Sequence, residues 1–229
     1  MQPTENDLRQ QPNPLRRKLF RGVPAGIGVL MAVQARTALG AVDCRSPSAI
    51  LSGNKSPRPG TGITCSGGLS PGYWKVPQHF GSWGPAGAVY PTFKSSVVEC
   101  LSGVSALSLA DIKTPGTLVL SIFTGASVPT NTGIWAVLYS PGSFTAGQLL
   151  RHLSAAWLNA GYFTSPGAQY PLTRPQIVAM WNAVKSGGTY CPSGVTCNPG
   201  WSSTDVINYI QGMYDLNASG GDPSLCKTV

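Results

Sequence analysis

The chain has 229 residues, a length typical of one domain of moderate size with tails. Hydrophobic residues make up 42% of it and charged residues only 10%, whereas about a quarter of a typical globular domain is charged. The formal net charge of +8 does not indicate a nucleic-acid-binding protein, because six of the 16 basic residues precede Ala41 and the others form no patch in the sequence. We expect no nucleic-acid partner.

Residues 1–41 have the pattern of an export signal. Residues 15–21 read LRRKLFR, which resembles the twin-arginine signal. The apolar run 23–35 is short and interrupted by proline and glycine, so we expect no permanent membrane span. Small residues at 38–41 suit signal peptidase. The expected partners are the twin-arginine export machinery and signal peptidase, and the expected location is periplasmic, cell-surface or extracellular. A basic, disordered arm is the alternative.

All six cysteines follow the proposed cleavage point. An even number in an exported chain is typical of disulfides, so we expect three, with a pairing that the sequence leaves open. Two of the cysteines bracket a Pro/Gly loop at 191–197 and could pair locally. A zinc site is the alternative, but CxxC is absent and neither histidine stands at ligand spacing from a cysteine. We expect no metal and no cofactor. The cysteines are Cys44, Cys65, Cys100, Cys191, Cys197 and Cys226.

The mature chain divides into an arm, a domain and a tail. Residues 42–70 are rich in Ser, Gly and Pro without a helical or strand period, so we expect an extended surface arm, or a disordered tail, held by its cysteines. Residues 71–216 form the predicted domain, and 217–229 form a tail tied by Cys226. The expected fold is mainly α: a small disulfide-stapled helical domain with long Gly/Pro/Ser-rich loops.

The clearest predicted helix lies within residues 143–163, and we expect the rest of the chain to be organised around it. Thr145 is the expected N-cap, Gln148 completes a capping box, and Gly161 is expected just past the helix end. Apolar residues recur between these ends at helical spacing. Trp157 lies on this stripe and is expected to face the core.

Two more amphipathic helices complete the predicted core. One begins with a capping box at Thr173 and Gln176, ends before Gly187, and carries Trp181 on its apolar side. The other spans about 203–214 and is capped by Ser202.

Four shorter segments are predicted less sharply. The apolar runs Thr117–Phe123 and Ile134–Tyr139 fit a buried helix or a buried strand equally well by period. We favour a helix for both, because no other segment predicts a sheet. Residues 93–101 predict a short helix, and residues 107–113 a short turn or helix.

Residues 71–83 (PGYWKVPQHFGSW) contain five ring-bearing side chains between glycines and prolines. Aromatic rings on a loop can stack on sugars or on a partner, or they can plug the helical core from outside. The sequence leaves both interpretations open. The residues proposed for the contact surface are Tyr73, Trp74, Phe80 and Trp83.

The PGYWK segment and the later HLSAAWLNA helix occur together, and with both the chain resembles a group of uncharacterised bacterial exported proteins. Members carry a Cys-rich start, a PGYWK-type motif and a helix reading HLxAAxLNA. The resemblance spans about residues 65–184, and Val76 stands where the wider group has asparagine. It implies export and a shared domain, and it supplies no catalytic residues.

The sequence favours a protein that is not an enzyme. The weak catalytic candidates are His79, His152, Glu99 and Asp111. A glycosidase needs two carboxylates beside one bond, and no spacing brings Glu99 and Asp111 together. A GxSxG nucleophile motif is absent. If the two histidines converged, a pH-sensitive contact or a metal site would follow.

We therefore expect an exported envelope or cell-surface protein of structural or interaction type. It would contact a partner protein, a surface polymer or itself through the clustered loop aromatics. The alternative is a secreted hydrolase acting on a polysaccharide or envelope component. A third interpretation is an envelope-stability factor without a small ligand.

Overall fold

The computed structural model describes residues 46–51, 67–94, 108–165 and 169–214, all within the compact unit Ala41–Val229. The fold is mainly helical, as predicted. The helices are α1 (Pro47–Leu51), α2 (Pro71–Lys75), α3 (Ile134–Tyr139), α4 (Gly147–Tyr162), α5 (Arg174–Val184) and α6 (Ser203–Gly212). Strands β1 (Thr92–Phe93) and β2 (Ile112–Thr114) pair antiparallel, and short 3-10 turns cover Pro77–Ser82, Leu109–Asp111 and Pro141–Ser143.

Helix α4 is the centre of the domain, as the sequence predicts. It contacts α2, α3, α5 and α6. Leu150, Leu153 and Ala156 are fully buried on its core side. Burial of such a stripe is the main source of helix stability in a folded protein. Helices α3, α5 and α6 therefore share one core with α4, while α2 packs on both α3 and α4.

Both predicted ends of α4 are wrong. The helix begins after Ala146, whose φ of 52° is left-handed, and no side chain caps it. Its entry is set instead by the preceding turn, because a Cβ on Gly147 would collide with the Pro141 carbonyl oxygen. At the other end the helix runs through Gly161 to Tyr162. Gly161 makes room for a neighbouring segment and does not terminate the helix.

Helices α5 and α6 begin at the predicted caps. Thr173 N donates to Gln176 Oε1 at 2.9 Å, and Ser202 N donates to Asp205 Oδ2 at 2.9 Å. In both helices the N-cap hydroxyl oxygen accepts from the backbone N of the third helical residue, which completes a capping box. Helix α6 ends at Gly212, two residues before the predicted end.

The two tryptophans expected in the core differ. Trp181 is 2% exposed, and its Nε1 donates to Thr124 O at 3.1 Å. Trp157 is only partly buried, contrary to the prediction. The Arg174 guanidinium carbon lies 3.4 Å from its ring centroid, so Trp157 makes a cation–π contact at the edge of the domain.

Of the two ambiguous apolar runs, only the second is a helix. Ile134–Tyr139 forms α3. Residues 117–123 form turns, so the helix favoured there is wrong. This segment lies beside the start of α3, since Val119 N donates to Thr132 O and Ile134 N donates to Thr117 O. These hydrogen bonds use backbone groups that a helix over residues 117–123 would need for its own hydrogen bonds.

Strand β1 replaces the start of the helix predicted for residues 93–101, and residues 95–107 lie outside the described part of the chain. Thr92 pairs with Thr114 across the two strands. Residues 109–111 form the short turn expected there.

The arm 42–70 contains the one-turn helix α1, which its composition did not predict. The local Cys191–Cys197 disulfide is confirmed, with the two Cα atoms 5.9 Å apart. The other four cysteines, Cys44, Cys65, Cys100 and Cys226, lie outside the described residues. Among the helices that the structure describes, none combines the length and the apolar character needed to cross a membrane.

Candidate functional site

The PGYWK segment forms α2, and its tryptophan points into the core. Ser70 Oγ accepts a hydrogen bond from Tyr73 N at 3.3 Å, and Pro71 occupies the first turn, where an amide hydrogen has no helical partner. Trp74 is fully buried and Trp83 is 1% exposed. The prediction that these two tryptophans form a contact surface is wrong, because both rings belong to the core.

Asn159 in α4 joins the two sequence motifs. Its Oδ1 accepts from Leu69 N and from Trp74 Nε1, each at 3.0 Å, and its Nδ2 donates to Leu69 O at 3.0 Å. The side chain is fully buried. A buried amide is tolerated when its polar atoms are paired, so this asparagine fastens the PGYWK segment to α4.

Two more indole groups hold the carboxyl end of α2. Trp83 Nε1 donates to Trp74 O at 3.1 Å, and Trp135 Nε1 donates to Lys75 O at 2.9 Å. The last carbonyls of a helix have no partner within it, so these bonds satisfy them. Trp74, Trp83 and Trp135 are thereby linked through the backbone of α2, and we call these three buried tryptophans the tryptophan base.

Eight partly exposed rings, which we call the aromatic shell, lie next to these tryptophans: five contact one of them directly, and three contact one of those five. Ring centroids lie 5.8 Å apart for Trp74 and Tyr162, and 5.2 Å apart for Trp83 and Tyr90. These distances are typical of favourable edge-to-face pairs. The aromatic shell consists of Tyr73, His79, Phe80, Tyr90, Phe93, Tyr139, Tyr162 and Phe163.

Tyr73 and His79 form a parallel stack within the aromatic shell. Their ring centroids are 3.6 Å apart and their planes differ by 14°. Burial lowers the pKa of His79. Burial raises the pKa of Tyr73, although its hydrogen bond to Ser82 Oγ at 2.9 Å partly opposes this. Both rings are therefore uncharged at neutral pH.

Sequence reasoning found only part of the aromatic shell. Tyr73 and Phe80 were proposed for binding and are partly exposed there. Five members lie outside residues 71–83, and three of these come from segments distant in sequence, so the pattern of residues 71–83 does not reveal them. The five are Tyr90, Phe93, Tyr139, Tyr162 and Phe163.

His152 is a packed, hydrogen-bonded histidine. It is 7% exposed, its Nδ1 lies 2.8 Å from Tyr214 OH, and Gln211 Nε2 lies 3.2 Å from its Nε2. Burial first, and then the charge of Arg151, lower its pKa to about 4. No hydrogen bond or ring contact between described residues joins it to His79, so the structure does not support convergence of the two histidines.

Of the remaining catalytic candidates, Asp111 is the one that the structure describes. Asp111 Oδ2 accepts from Ser108 N at 3.0 Å and from Ser108 Oγ at 2.6 Å, and these bonds lower its pKa. Glu99 lies outside the described residues. Within the described ranges, no group of three His, Cys, Asp or Glu side chains is placed to hold a metal ion.

An open groove of about 450 Å³ lies beside the start of α4, and none of the predicted site residues that the structure describes lines it. Phe144, Leu149, Val184 and Ile207 supply apolar lining, and Lys185 lies at its side. The Lys185 ammonium already donates to Thr124 O at 2.9 Å, so it is engaged within the protein.

Comparisons with protein-family models, with curated proteins and with solved structures find no match.

Proposed function

We propose that the chain is an exported envelope or cell-surface protein that acts by binding, with the aromatic shell as its contact surface. The observation that supports this is a cluster of eight partly exposed rings, five of which pack directly on three buried tryptophans. Aromatic residues dominate the energy of many interfaces, so partly exposed rings are suited to contact with a partner. Trp74 and Trp83 support the surface from beneath.

Export is supported by the twin-arginine pattern of residues 15–21 together with the cysteine chemistry. The Cys191–Cys197 disulfide is of a kind that persists in oxidising compartments. On this proposal the other four cysteines form two further disulfides, and the twin-arginine machinery and signal peptidase are partners during export.

Binding is favoured over catalysis by the use of the described carboxylates. Asp111 and Asp205 are the acidic residues in the described ranges, and both accept hydrogen bonds from serines in capping arrangements. A hydrolase acting through two carboxylates would need them free and facing one bond.

Export is tested by intact mass measurement on protein recovered from fractionated native cells, with and without reduction. A chain that begins near Ala41 or Val42 and gains six hydrogens on reduction supports export and three disulfides. A full-length cytoplasmic chain with free thiols would overturn the proposal.

The contact surface is tested by cosedimentation of the purified mature protein with isolated envelopes. We expect a Tyr73→Leu/Phe80→Leu variant to lose most of its binding, because leucine keeps apolar volume but removes the aromatic faces. Phe144→Leu is the matched control, since Phe144 is also partly buried but lies outside the aromatic shell. Equal retention of all three proteins would contradict the assignment.

A further inference from the structure

The end of helix α6 is hydrogen-bonded to α4 through His152. Its Nδ1 lies 2.8 Å from the hydroxyl oxygen of Tyr214, and its Nε2 lies 3.2 Å from Gln211 Nε2. An amide nitrogen can only donate, so Nε2 of the ring is the acceptor there, and the proton of the neutral ring lies on Nδ1 and is donated to Tyr214. The bond to Gln211 therefore exists only while the ring is neutral.

The same end of α6 holds the segment that leads into α2. Gly68 N donates to Met213 O at 2.8 Å, and Gly68 pairs with Tyr214 in a parallel bridge. The next residue, Leu69, is fixed to Asn159 of α4. The amide of Gly68 therefore loses its hydrogen-bond acceptor when Met213 and Tyr214 move away from α4, and it then meets water.

His152 lies where a positive charge is poorly compensated. The side chain is 7% exposed, and its pKa is lowered to about 4 by burial and then by the charge of Arg151, its neighbour in α4. Tyr214 is in contact with the ring, and Tyr170 interacts electrostatically with Tyr214. Burial raises the pKa of both phenols, so they stay uncharged and cannot balance a charge on the imidazole.

The four described helices that pack on α4 carry one carboxylate between them. This is Asp205, in the first turn of α6 and so at the end away from His152, where its Oδ2 accepts from Ser202 Oγ at 2.7 Å. The charged side chains of α2 and α5 are the cations Lys75 and Arg174, and α3 has none. A charged imidazole would therefore have no carboxylate beside it on any of these helices.

Protonation would place a hydrogen on Nε2 of the ring, opposite the hydrogens of the Gln211 amide. It would also bury a second positive charge beside Arg151, and exposure of the ring to water removes both conflicts. We propose that His152 is an acid-sensitive latch: when its ring gains a proton, Gln211 and Tyr214 separate from α4 and release Gly68, while the rest of the core stays folded. This inference does not depend on the proposed contact surface.

Hydrogen exchange of backbone amides in the purified protein tests the latch, at pH 7 and pH 4.5 and over a series of low urea concentrations. Rates are corrected for the intrinsic effect of pH on exchange. We expect the protection of the Gly68 amide to be lower at pH 4.5 by roughly tenfold or more, because acid favours the open form that binds the proton. Low urea should leave this exchange nearly unchanged, since a local opening exposes little surface.

The amide of Leu153, at the buried centre of α4, is the reference for global unfolding. At pH 4.5 it should exchange more slowly than the Gly68 amide and should respond strongly to urea. Equal protection and an equal response to urea at the two amides would overturn the proposal, because Gly68 would then be released only by unfolding of the whole domain.

Variants of the two bonded side chains check that His152 is the sensor. His152→Gln should remove the effect of pH on Gly68 exchange. Gln211→Glu places a carboxylate beside Nε2, where it pairs with the protonated ring, so Gly68 should stay protected at pH 4.5. Asn182→Asp is the matched control, since it adds the same charge at an exposed position of α5 and should behave as the parent protein does. Acid-dependent exchange that persists in His152→Gln, or a Gln211→Glu variant that behaves like the control, overturns the latch.

Discussion

Asn159 is the residue on which the two sequence motifs meet. Three of its hydrogen bonds reach Leu69 and Trp74, which lie 90 and 85 positions earlier in the chain. These bonds set the position of Trp74, and Trp74 in turn contacts the rings of Tyr73 and Tyr162 in the aromatic shell. Asn159 is thus a positioning residue for a surface that it does not itself form.

Replacement of this asparagine by alanine, Asn159→Ala, should lower the free energy of unfolding by about 3 kcal/mol or more. The change removes three hydrogen bonds and leaves buried donor and acceptor groups of Leu69 and Trp74 without partners. Urea unfolding followed by tryptophan fluorescence measures the loss.

Asn182→Ala is the matched control for that measurement. Asn182 is exposed, and within the described part of the chain its Oδ1 accepts one hydrogen bond, from Lys185 Nζ at 3.2 Å. We expect its loss to change stability by less than about 0.5 kcal/mol. Equal losses at the two asparagines would show that Asn159 does not hold the PGYWK segment.

At the scale of elements, α4 is packed so closely that one of its last residues must be glycine. A Cβ at Gly161 would collide with the Ala86 carbonyl oxygen and with the Arg174 guanidinium. Arg174 Nε donates to Trp157 O at 3.3 Å, and its Nη2 donates to Ala86 O. One arginine of α5 therefore ties α4 to the segment that follows Trp83.

The substitution Gly161→Ala should destabilise the protein, whereas alanine normally replaces a helical glycine with a gain of about 0.5–1 kcal/mol. The sign is reversed because the Ala86 carbonyl belongs to the backbone and cannot move aside cheaply. We expect a loss of about 1–3 kcal/mol, measured as a lower urea midpoint.

Gly212→Ala, in the last turn of α6, provides the comparison. A Cβ there meets no atom within 4 Å, so the ordinary stabilising effect of alanine should appear. If both substitutions raised the urea midpoint, the close packing around Gly161 would be refuted.

At the scale of the whole molecule, burial of His152 links stability to pH. Its pKa is about 4 in the folded protein and near 6.5 in an unfolded chain. Between these values the unfolded chain binds a proton that the folded protein does not bind. Stability should therefore fall as the pH decreases from about 6.5 to about 4, and this contribution becomes constant below that range.

Between pH 7 and pH 4.5 the effect on the free energy of unfolding is roughly 2 kcal/mol, less than the full shift implies, because these two pH values span only part of the titration. Urea unfolding at pH 7 and at pH 4.5 measures it. In His152→Gln the decrease in unfolding free energy between pH 7 and pH 4.5 should be smaller by roughly 2 kcal/mol. The contribution of His79, whose pKa is also lowered, remains in the variant. If the variant lost as much unfolding free energy between pH 7 and pH 4.5 as the parent protein does, this assignment would be contradicted.

Predictions based on neighbouring residues were largely confirmed. The predicted capping box at Thr173, the predicted N-cap at Ser202 and the Cys191–Cys197 disulfide join groups three to six positions apart. Such geometry follows from local sequence, because a capping side chain and the backbone groups it meets are fixed by the helix itself. The predicted N-cap of α4 failed because the packed turn at Pro141 sets where the helix begins, and the predicted end at Gly161 failed because that glycine makes room for Ala86 and Arg174.

By itself the sequence determined the mainly helical class, the central place of α4 and the starts of α5 and α6, because helical period and caps depend on residues within a few positions. The tertiary structure alone decided that Trp74 and Trp83 are core, that Trp157 lies at an edge, and that Gly161 is a packing position. It also grouped the rings of the aromatic shell. These roles depend on atoms brought together by folding from segments tens of residues apart, and composition carries no information about which ring lies beneath another.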